Sequence, residues 1–381
     1  MPLPSDLKTK TNFATMSQSD IPDSLLDFIR QPVRSQKPYL VPGSQSEPDI
    51  KLNQNESPFD IPTELKRELV DVFLETPFNR YPKEHPYRLQ DELAKQLGHP
   101  SDGILIGNGS NELTYTLGLC LIEPGKSVVL PTPMFSLYTS VVNLFGGNLV
   151  AVPALPNLHF DVDGICAAVE ASNPSLTVLT TPNNPTGLSL SLEDIKRVAK
   201  LAKGFVLVDE AYVEFTEEES AFGLLTDFPN IVLIRTFSKA FGLAGLRIGY
   251  LIAQPAIIAE FLKSRVPFMI DRLSEAVALS LLKRPELIAE RIDFMKASCK
   301  QITESLQQMA DVHVVPSQTN FVIFKTEVAP NLLMKKLTEK GVLVRNMMGY
   351  PELAGYLRVN AGSLEENKVF LRALEDALSV P

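Results

Sequence analysis

Histidine and cysteine are scarce in this chain, basic clusters are missing, and no apolar run is long. The 381 residues hold four histidines and three cysteines. His85, His99, His159 and His313 are scattered without metal-ligand spacing, which turns the reading away from metal catalysis. Cys120, Cys166 and Cys299 are odd in number, widely spaced and set among apolar neighbours, so they read as reduced core residues of a cytoplasmic protein. A net charge of −9 without a basic patch argues against nucleic acid as a partner. No stretch approaches the roughly 20 apolar residues of a membrane span. The first twenty residues have no apolar segment for a secretory signal, and with Asp6, Asp20 and no Arg they are unlike a transit peptide. What is left is the composition of a soluble globular protein, 45% hydrophobic and 21% charged, with the length of two domains.

The stretch TFSKAFGLAGLRIGY (236–250) follows an apolar β-branched run, Ile231-Val232-Leu233-Ile234, that reads as a buried parallel strand. Polar residues therefore arrive where a strand stops, the ligand-binding edge of open α/β sheets. A lysine held there among apolar neighbours has its pKa lowered, which gives a free amine for carbonyl chemistry; that residue is Lys239. Ser238 and Arg247 beside it suit a phosphate. Amine and phosphate site together suit a cofactor bearing an aldehyde and a phosphate, pyridoxal 5′-phosphate. For Ser-Lys alone, a surface lysine after a strand is the better reading.

Three strand–polar units recur with helical patterns between them. SLTVLTTPNNPTG (175–187) ends in Asn184, GFVLVDEAY (204–212) in Asp209 and Tyr212, and NIVLIRTFSK (230–239) in Lys239. The intervening helices are expected at 191–203 and, shorter and acidic, at 217–228. This βαβ rhythm predicts a parallel sheet whose strands deliver all four residues to one edge. Each alone is equally a turn residue or a helix cap. As a set they suit a pyridine cofactor: Asp209 to hold a proton on the ring nitrogen, Asn184 and Tyr212 to donate to its phenolate oxygen. GILIGNGSNELTYTLGLCL (103–121) imitates a dinucleotide fingerprint but has Glu112 where the third glycine falls, which disfavours an NAD-dependent oxidoreductase. The free amides at Ser110 and Asn111, opening a helix, are still an anion site. From about residue 272 the pattern changes to a long helical run interrupted by Pro285, then strands at 312–316, 320–325, 342–347 and 356–362 with helices between and after them.

The stretch around Lys239 resembles the lysine signature of fold-type I aminotransferases. From about residue 30 the chain is similar to their histidinol-phosphate branch, on PVRSQKPYLVPG, KLNQNESPF, NRYP, GNGSNE and LRVNAG. The resemblance implies an α/β fold with a mainly parallel seven-stranded sheet in a large domain (61–271) and a smaller α+β domain (272–381). An N-terminal arm (31–60) joins the small domain, and 1–30 is a flexible extension in which SLLDFIR forms a short helix. Lys239 then carries the cofactor and moves the substrate proton. Phe135, where many relatives carry Tyr and where a plain core residue is equally readable, stacks on the cofactor ring. Arg358 clasps the substrate carboxylate, Arg345 assists, and Asn55 lies in a loop closing over the substrate. Tyr81 reaches the neighbouring subunit's site, which makes the chain a homodimer. The implied reaction is transamination of L-histidinol phosphate with 2-oxoglutarate, giving imidazole acetol phosphate and glutamate. An aromatic amino acid aminotransferase or a phosphothreonine decarboxylase shares every cofactor residue and stays open. A regulator with an aminotransferase-like sensor is disfavoured, because only about 30 spare N-terminal residues are left for a second module.

Overall fold

The computed structural model describes residues 23–38 and 48–379, so most of the expected N-terminal extension and the middle of the Pro-rich arm lie outside the described residues. Residues 1–39 and 40–381 form two compact units. In the first, the described residues make two single-turn helices, α1 (Asp23–Leu26) and α2 (Gln31–Arg34), with Arg34 paired to Asp27 at 2.6 Å. The helix expected over SLLDFIR stops at Leu26. Leu25, Phe28 and Ile29 are exposed, so among the described residues no packed face consolidates a short helix, and Arg30 is extended where it precedes α2.

The second unit is organised by a seven-stranded sheet built from β2 (Ile104–Asn108), β3 (Ser127–Thr132), β4 (Asn148–Pro153), β5 (Leu176–Thr180), β6 (Phe205–Asp209), β7 (Ile231–Thr236) and β8 (Ile248–Ile252), after a short β1 (Ile50–Lys51). Its order is β2-β8-β7-β6-β5-β3-β4, and only β8 runs against its neighbours. Helices α3 (Thr63–Glu75), α4 (Tyr87–Leu97), α5 (Gly109–Leu121), α6 (Leu137–Phe145), α7 (Val162–Ser172), α8 (Leu192–Leu201) and α9 (Pro255–Leu262) are interleaved with these strands. Successive residues point to opposite faces, and both faces are buried: Val206 and Val208 enter one apolar cluster while Leu207 enters the other, and Ile231 and Leu233 are divided from Val232 and Ile234 in the same way. That is why the strands read as unbroken apolar runs.

A four-stranded antiparallel sheet, order β12-β13-β10-β9, comes after the long helices α10 (Arg272–Leu282) and α11 (Pro285–Gln307). It uses β9 (Val312–Val315), β10 (Phe321–Thr326), β12 (Arg345–Asn346) and β13 (Tyr356–Asn360), and packs with α11, α12 (Pro330–Glu339) and α13 (Leu364–Ser379) on its own cluster of Phe324, Leu337, Val359 and Phe370. Pro285 opens α11, where its missing N–H costs nothing. Among the described residues no helix is long and apolar enough to cross a membrane.

Two local expectations are corrected. The strand expected at 342–347 is two: β11 (Val342–Leu343) pairs with β1 in parallel, and β12 pairs with β13, so the chain changes partner at Val344. The helix expected at 217–228 is a 3₁₀ segment, Ala221–Thr226. The buried Glu210 carboxylate pins its start by accepting the Ala221 N–H at 2.7 Å and the Ser220 hydroxyl at 2.9 Å, while Arg235 pairs with Glu210 at 2.8 Å. Its first turn is thereby tied to the sheet and is not free to run on as an α-helix.

The strand order fixes where a ligand belongs. From β3 the chain moves outward to β4, then returns to β5 on the other side of β3 and continues to β6 and β7. The crevice beyond the carboxyl ends of β3 and β5 is the switch point of the sheet.

Candidate active site

Asp209 is the last residue of β6, Ser238 and Lys239 come after the end of β7, and Asn184 after β5. Asp209 is fixed by two donors: its Oδ1 accepts the Ala211 N–H at 3.0 Å and its Oδ2 the Tyr138 hydroxyl at 2.7 Å. Both bonds favour the anion, but burial outweighs them and pushes the carboxyl from 3.8 up to about 6. Lys239 donates from Nζ to the Gln54 carbonyl at 3.0 Å and stands 5.9 Å from the centre of the Tyr212 ring. Burial, and then the charge of Arg358, bring its ammonium from 10.5 down to about 8. The expectation of a strand-end lysine with a lowered pKa agrees with this environment.

Tyr212 is buried, packs edge-on to Phe321 at 5.3 Å, and its hydroxyl accepts from Asn55 Nδ2 at 2.9 Å. Arg358, buried on β13, donates to Asn184 Oδ1 at 2.5 Å and to the Asn53 carbonyl at 3.1 Å, with its guanidinium 5.1 Å from the Phe321 ring. Arg345 is its register partner on β12, so two guanidinium residues stand directly opposite each other. Side chains of both sheets therefore meet around Lys239.

Ser110 and Asn111 lie in the first turn of α5, and the Arg247 guanidinium lies against this turn. Gly109 has φ +75°, and a Cβ there would fall 2.5 Å from Arg247 Nη2. Gly249 matters in the same way: a Cβ would fall 2.4 Å from the Ser110 nitrogen. Arg247 Nη1 donates to the Ala244 carbonyl at 3.0 Å and reaches Ser238 Oγ at 3.4 Å. Helix N-terminus, guanidinium and hydroxyl thus form one anion cradle. Glu112, the misfit in the glycine fingerprint, caps this helix: it accepts the Asn108 N–H at 3.2 Å and pairs with the buried Arg265 at 3.3 Å. Phe135 is half-buried between β3 and α6, against the second apolar cluster.

Tyr81 is the odd member. It is 78% exposed, its ring stacks on Phe268 at 4.9 Å, and it lines a cleft of about 510 Å³ between residues 76–82 and Asp271–Leu273. Asn55, expected over the substrate, is buried and bonded to Tyr212.

Sequence reasoning missed Tyr138 and Gln54, which touch Asp209 and Lys239, and Asn320 and Asn360, which hold Asn55. Only Tyr138 left a signal: it comes three residues after Phe135, in the turn that opens α6, where its N–H donates to the Phe135 carbonyl at 3.1 Å. Amine, carboxylate, hydroxyl and anion cradle are the donor set that a phosphorylated pyridine aldehyde requires, and the cradle is kept open by the missing Cβ of Gly109.

Comparison with known proteins agrees. Residues 47–374 match the family described as aminotransferase class I and II. The histidinol-phosphate aminotransferase of Chlorobaculum parvum is 42% identical over 337 residues, 88% of this chain and 94% of that protein. That of Chlorobium phaeovibrioides is 40% identical over 350 residues, 92% of this chain and 97% of the relative. The crystal structure of the Sinorhizobium meliloti histidinol-phosphate aminotransferase in complex with pyridoxal-5′-phosphate superposes with a TM-score of 0.85 at 26% identity, covering 92% of this chain and 97% of that one. The chain belongs to the class I and II aminotransferases, in the branch of the histidinol-phosphate aminotransferases.

Proposed function

We propose that this aminotransferase moves the amino group of L-histidinol phosphate to 2-oxoglutarate, giving imidazole acetol phosphate and glutamate, with pyridoxal 5′-phosphate as cofactor. The observation that carries the substrate is the opposed pair Arg345 and Arg358. Like charges directly across an antiparallel pair destabilise a sheet. A phosphate or carboxylate held between them turns that cost into paired, charge-assisted bonds. The names of the relatives favour the same donor.

The bound cofactor supplies the electron sink for cleavage of the substrate Cα–H bond and carries the amino group between the two half-reactions. Ser110, Asn111, Ser238 and Arg247 would hold its phosphate, and Phe135 would lie against its ring. Asp209 holds the ring-nitrogen proton; with a carboxyl that titrates near 6, it is mostly ionised at neutral pH and charged for that task. Tyr212 and Asn184 would donate to its phenolate oxygen. Lys239, with an amine brought down to about 8, is partly unprotonated at physiological pH, so it would hold the cofactor through that amine and move the proton to and from the substrate Cα. Arg358, with Arg345, orients the anionic end of the donor and of 2-oxoglutarate in turn. The reading further includes a cytoplasmic homodimer in which Tyr81 completes the partner's site. It keeps the large and small domains as bounded above, with the four-stranded sheet in the small one.

The test is an amino-donor panel with 2-oxoglutarate as acceptor, followed through glutamate. Histidinol phosphate is expected to have the highest kcat/KM, with dephosphorylated histidinol at least about 100-fold lower, the loss of roughly 2.7 kcal/mol of charge-assisted binding. Phenylalanine or tyrosine as a donor of equal efficiency overturns the assignment, as does release of carbon dioxide from phosphothreonine.

A further inference from the structure

Asn55 has more holding it than a substrate loop requires. It is a buried, non-glycine residue in the left-handed region, φ +55°. Its backbone is gripped on both sides: the N–H donates to Asn360 Oδ1 at 3.0 Å, and the carbonyl accepts from Asn320 Nδ2 at 3.2 Å. Asn360 ends β13 and Asn320 immediately precedes β10, so both clamps belong to the sheet that carries Arg358. The neighbouring Gln54 carbonyl accepts from Lys239. Asparagine suits such a position because its short amide tolerates the left-handed conformation. The Asn55 side chain points Nδ2 at the Tyr212 hydroxyl, 2.9 Å away.

A tyrosine hydroxyl has one proton and lone pairs. When an amide N–H is already directed at its oxygen, the hydroxyl's own proton turns elsewhere. We propose that Asn55 is a positioning residue for Tyr212: its amide holds the hydroxyl as an acceptor, so that the tyrosine proton faces the phenolate oxygen of the bound cofactor. Because Asn320 and Asn360 hold the Asn55 backbone, the Tyr212 hydroxyl is tied to the sheet that bears the substrate-gripping arginine. This inference rests on the cofactor reading above. It gives Asn55 a duty that acts through Tyr212.

The consequence is electronic. A donor on the phenolate oxygen stabilises its anion and lowers the pH at which the cofactor–lysine linkage loses its proton. Lys239 is also faced by Arg358, Arg247 and Lys51, which lower its pKa, and by Glu56, which raises it. All of them are left intact in the test.

The experiment is a pH titration of the visible absorbance of the cofactor-loaded protein, comparing wild type, Asn55→Gly, Tyr212→Phe and the double variant. Glycine accepts the positive φ and removes the amide without adding charge. Asn55→Gly is expected to raise the linkage pKa by roughly 0.5–1 unit, the worth of about one oriented hydrogen bond. It should do nothing further in the Tyr212→Phe background. An unchanged or lowered pKa in Asn55→Gly overturns the inference; lowering is what the opposite amide orientation, with the carbonyl taking the tyrosine proton, predicts. An equal shift with and without the tyrosine hydroxyl also overturns it, because the role is then merely structural. Should the glycine variant not fold, Asn55→Asp carries the same test, with a larger rise expected when Tyr212 is present than when it is Phe. Wild-type protein that develops no such absorbance with pyridoxal phosphate overturns the cofactor reading and this inference together, whereas a titrating wild type with a silent Asn55→Gly overturns this inference alone.

Discussion

Removing one hydroxyl, in Tyr138→Phe, tests how Asp209 is kept charged. Burial raises the Asp209 carboxyl from 3.8 to about 6, with the Tyr138 bond at 2.7 Å holding it down against that trend. A hydrogen bond to a charged group is worth about 1.5–3 kcal/mol, so its loss is expected to raise the carboxyl by a further one to two units, roughly to 7–8. The sign of the stability effect comes from linkage. A carboxyl whose folded pKa lies above its unfolded value contributes stability below the unfolded pKa and loses it as pH rises through the folded one. In wild type that loss spans about pH 4 to 6 and amounts to about 3 kcal/mol. In Tyr138→Phe it continues to pH 7 or 8. Denaturant melts of the cofactor-stripped protein at pH 5 and pH 8 read this directly. At pH 5 Asp209 is largely protonated in both proteins, and the variants differ only by the packing of a buried tyrosine against a buried phenylalanine. At pH 8 the variant is expected to be less stable by an additional ~1–2 kcal/mol. Glu210, the neighbouring charge, and Glu214, raised by burial to about 7, are common to both proteins and cancel in the difference. A stability difference that is the same at both pH values refutes the reasoning.

Lys239→Ala is expected to abolish transamination while keeping the fold and a reversible hold on pyridoxal phosphate through the anion cradle. Borohydride should fix cofactor to wild type and not to the variant, and retention of the covalent adduct in the variant places the reactive amine elsewhere. Gly109→Ala puts a methyl 2.5 Å from Arg247 Nη2 at φ +75°. It is expected to weaken cofactor affinity at least about tenfold in a titration of the stripped protein, since left-handed strain of about 1–2 kcal/mol adds to the displaced guanidinium; unchanged affinity removes Arg247 from the cradle.

Lys239, Asp209 and Asn184 were legible in the sequence because a local pattern placed them. Each comes after an apolar run long enough for a buried strand, and parallel strands joined by right-handed crossovers deliver their carboxyl ends to the same edge. No such rule relates Tyr138 to Asp209, 71 positions apart, or Asn55 to Tyr212, 157 apart. Those contacts arise only when separate elements are packed, and a loop asparagine looks the same in sequence whether it faces solvent or a buried hydroxyl. The 217–228 segment failed for a related reason, as its backbone is organised by Glu210, a residue that local propensity does not count.

Arg358 links the two sheets in space, through its bond to Asn184, and on the proposed reading in function. Arginine within a strand most often means a solvated edge, and the sequence offered only resemblance against that reading. In the fold, Arg358 is buried, its register partner is another arginine, and it donates to the Asn184 amide oxygen and a backbone carbonyl. Both of those acceptors are neutral, and the charge of the guanidinium is felt by the Lys239 amine, whose pKa it lowers. On that reading an anionic substrate would bring opposite charge to this place, and in taking Nη1 it would compete with Asn184. The same anion would then mask a charge that lowers the Lys239 pKa, so substrate binding would raise the basicity of the amine proposed to take the proton from Cα. On the proposed reading, substrate grip and proton transfer are coupled through this one arginine, which the four-stranded sheet holds in place.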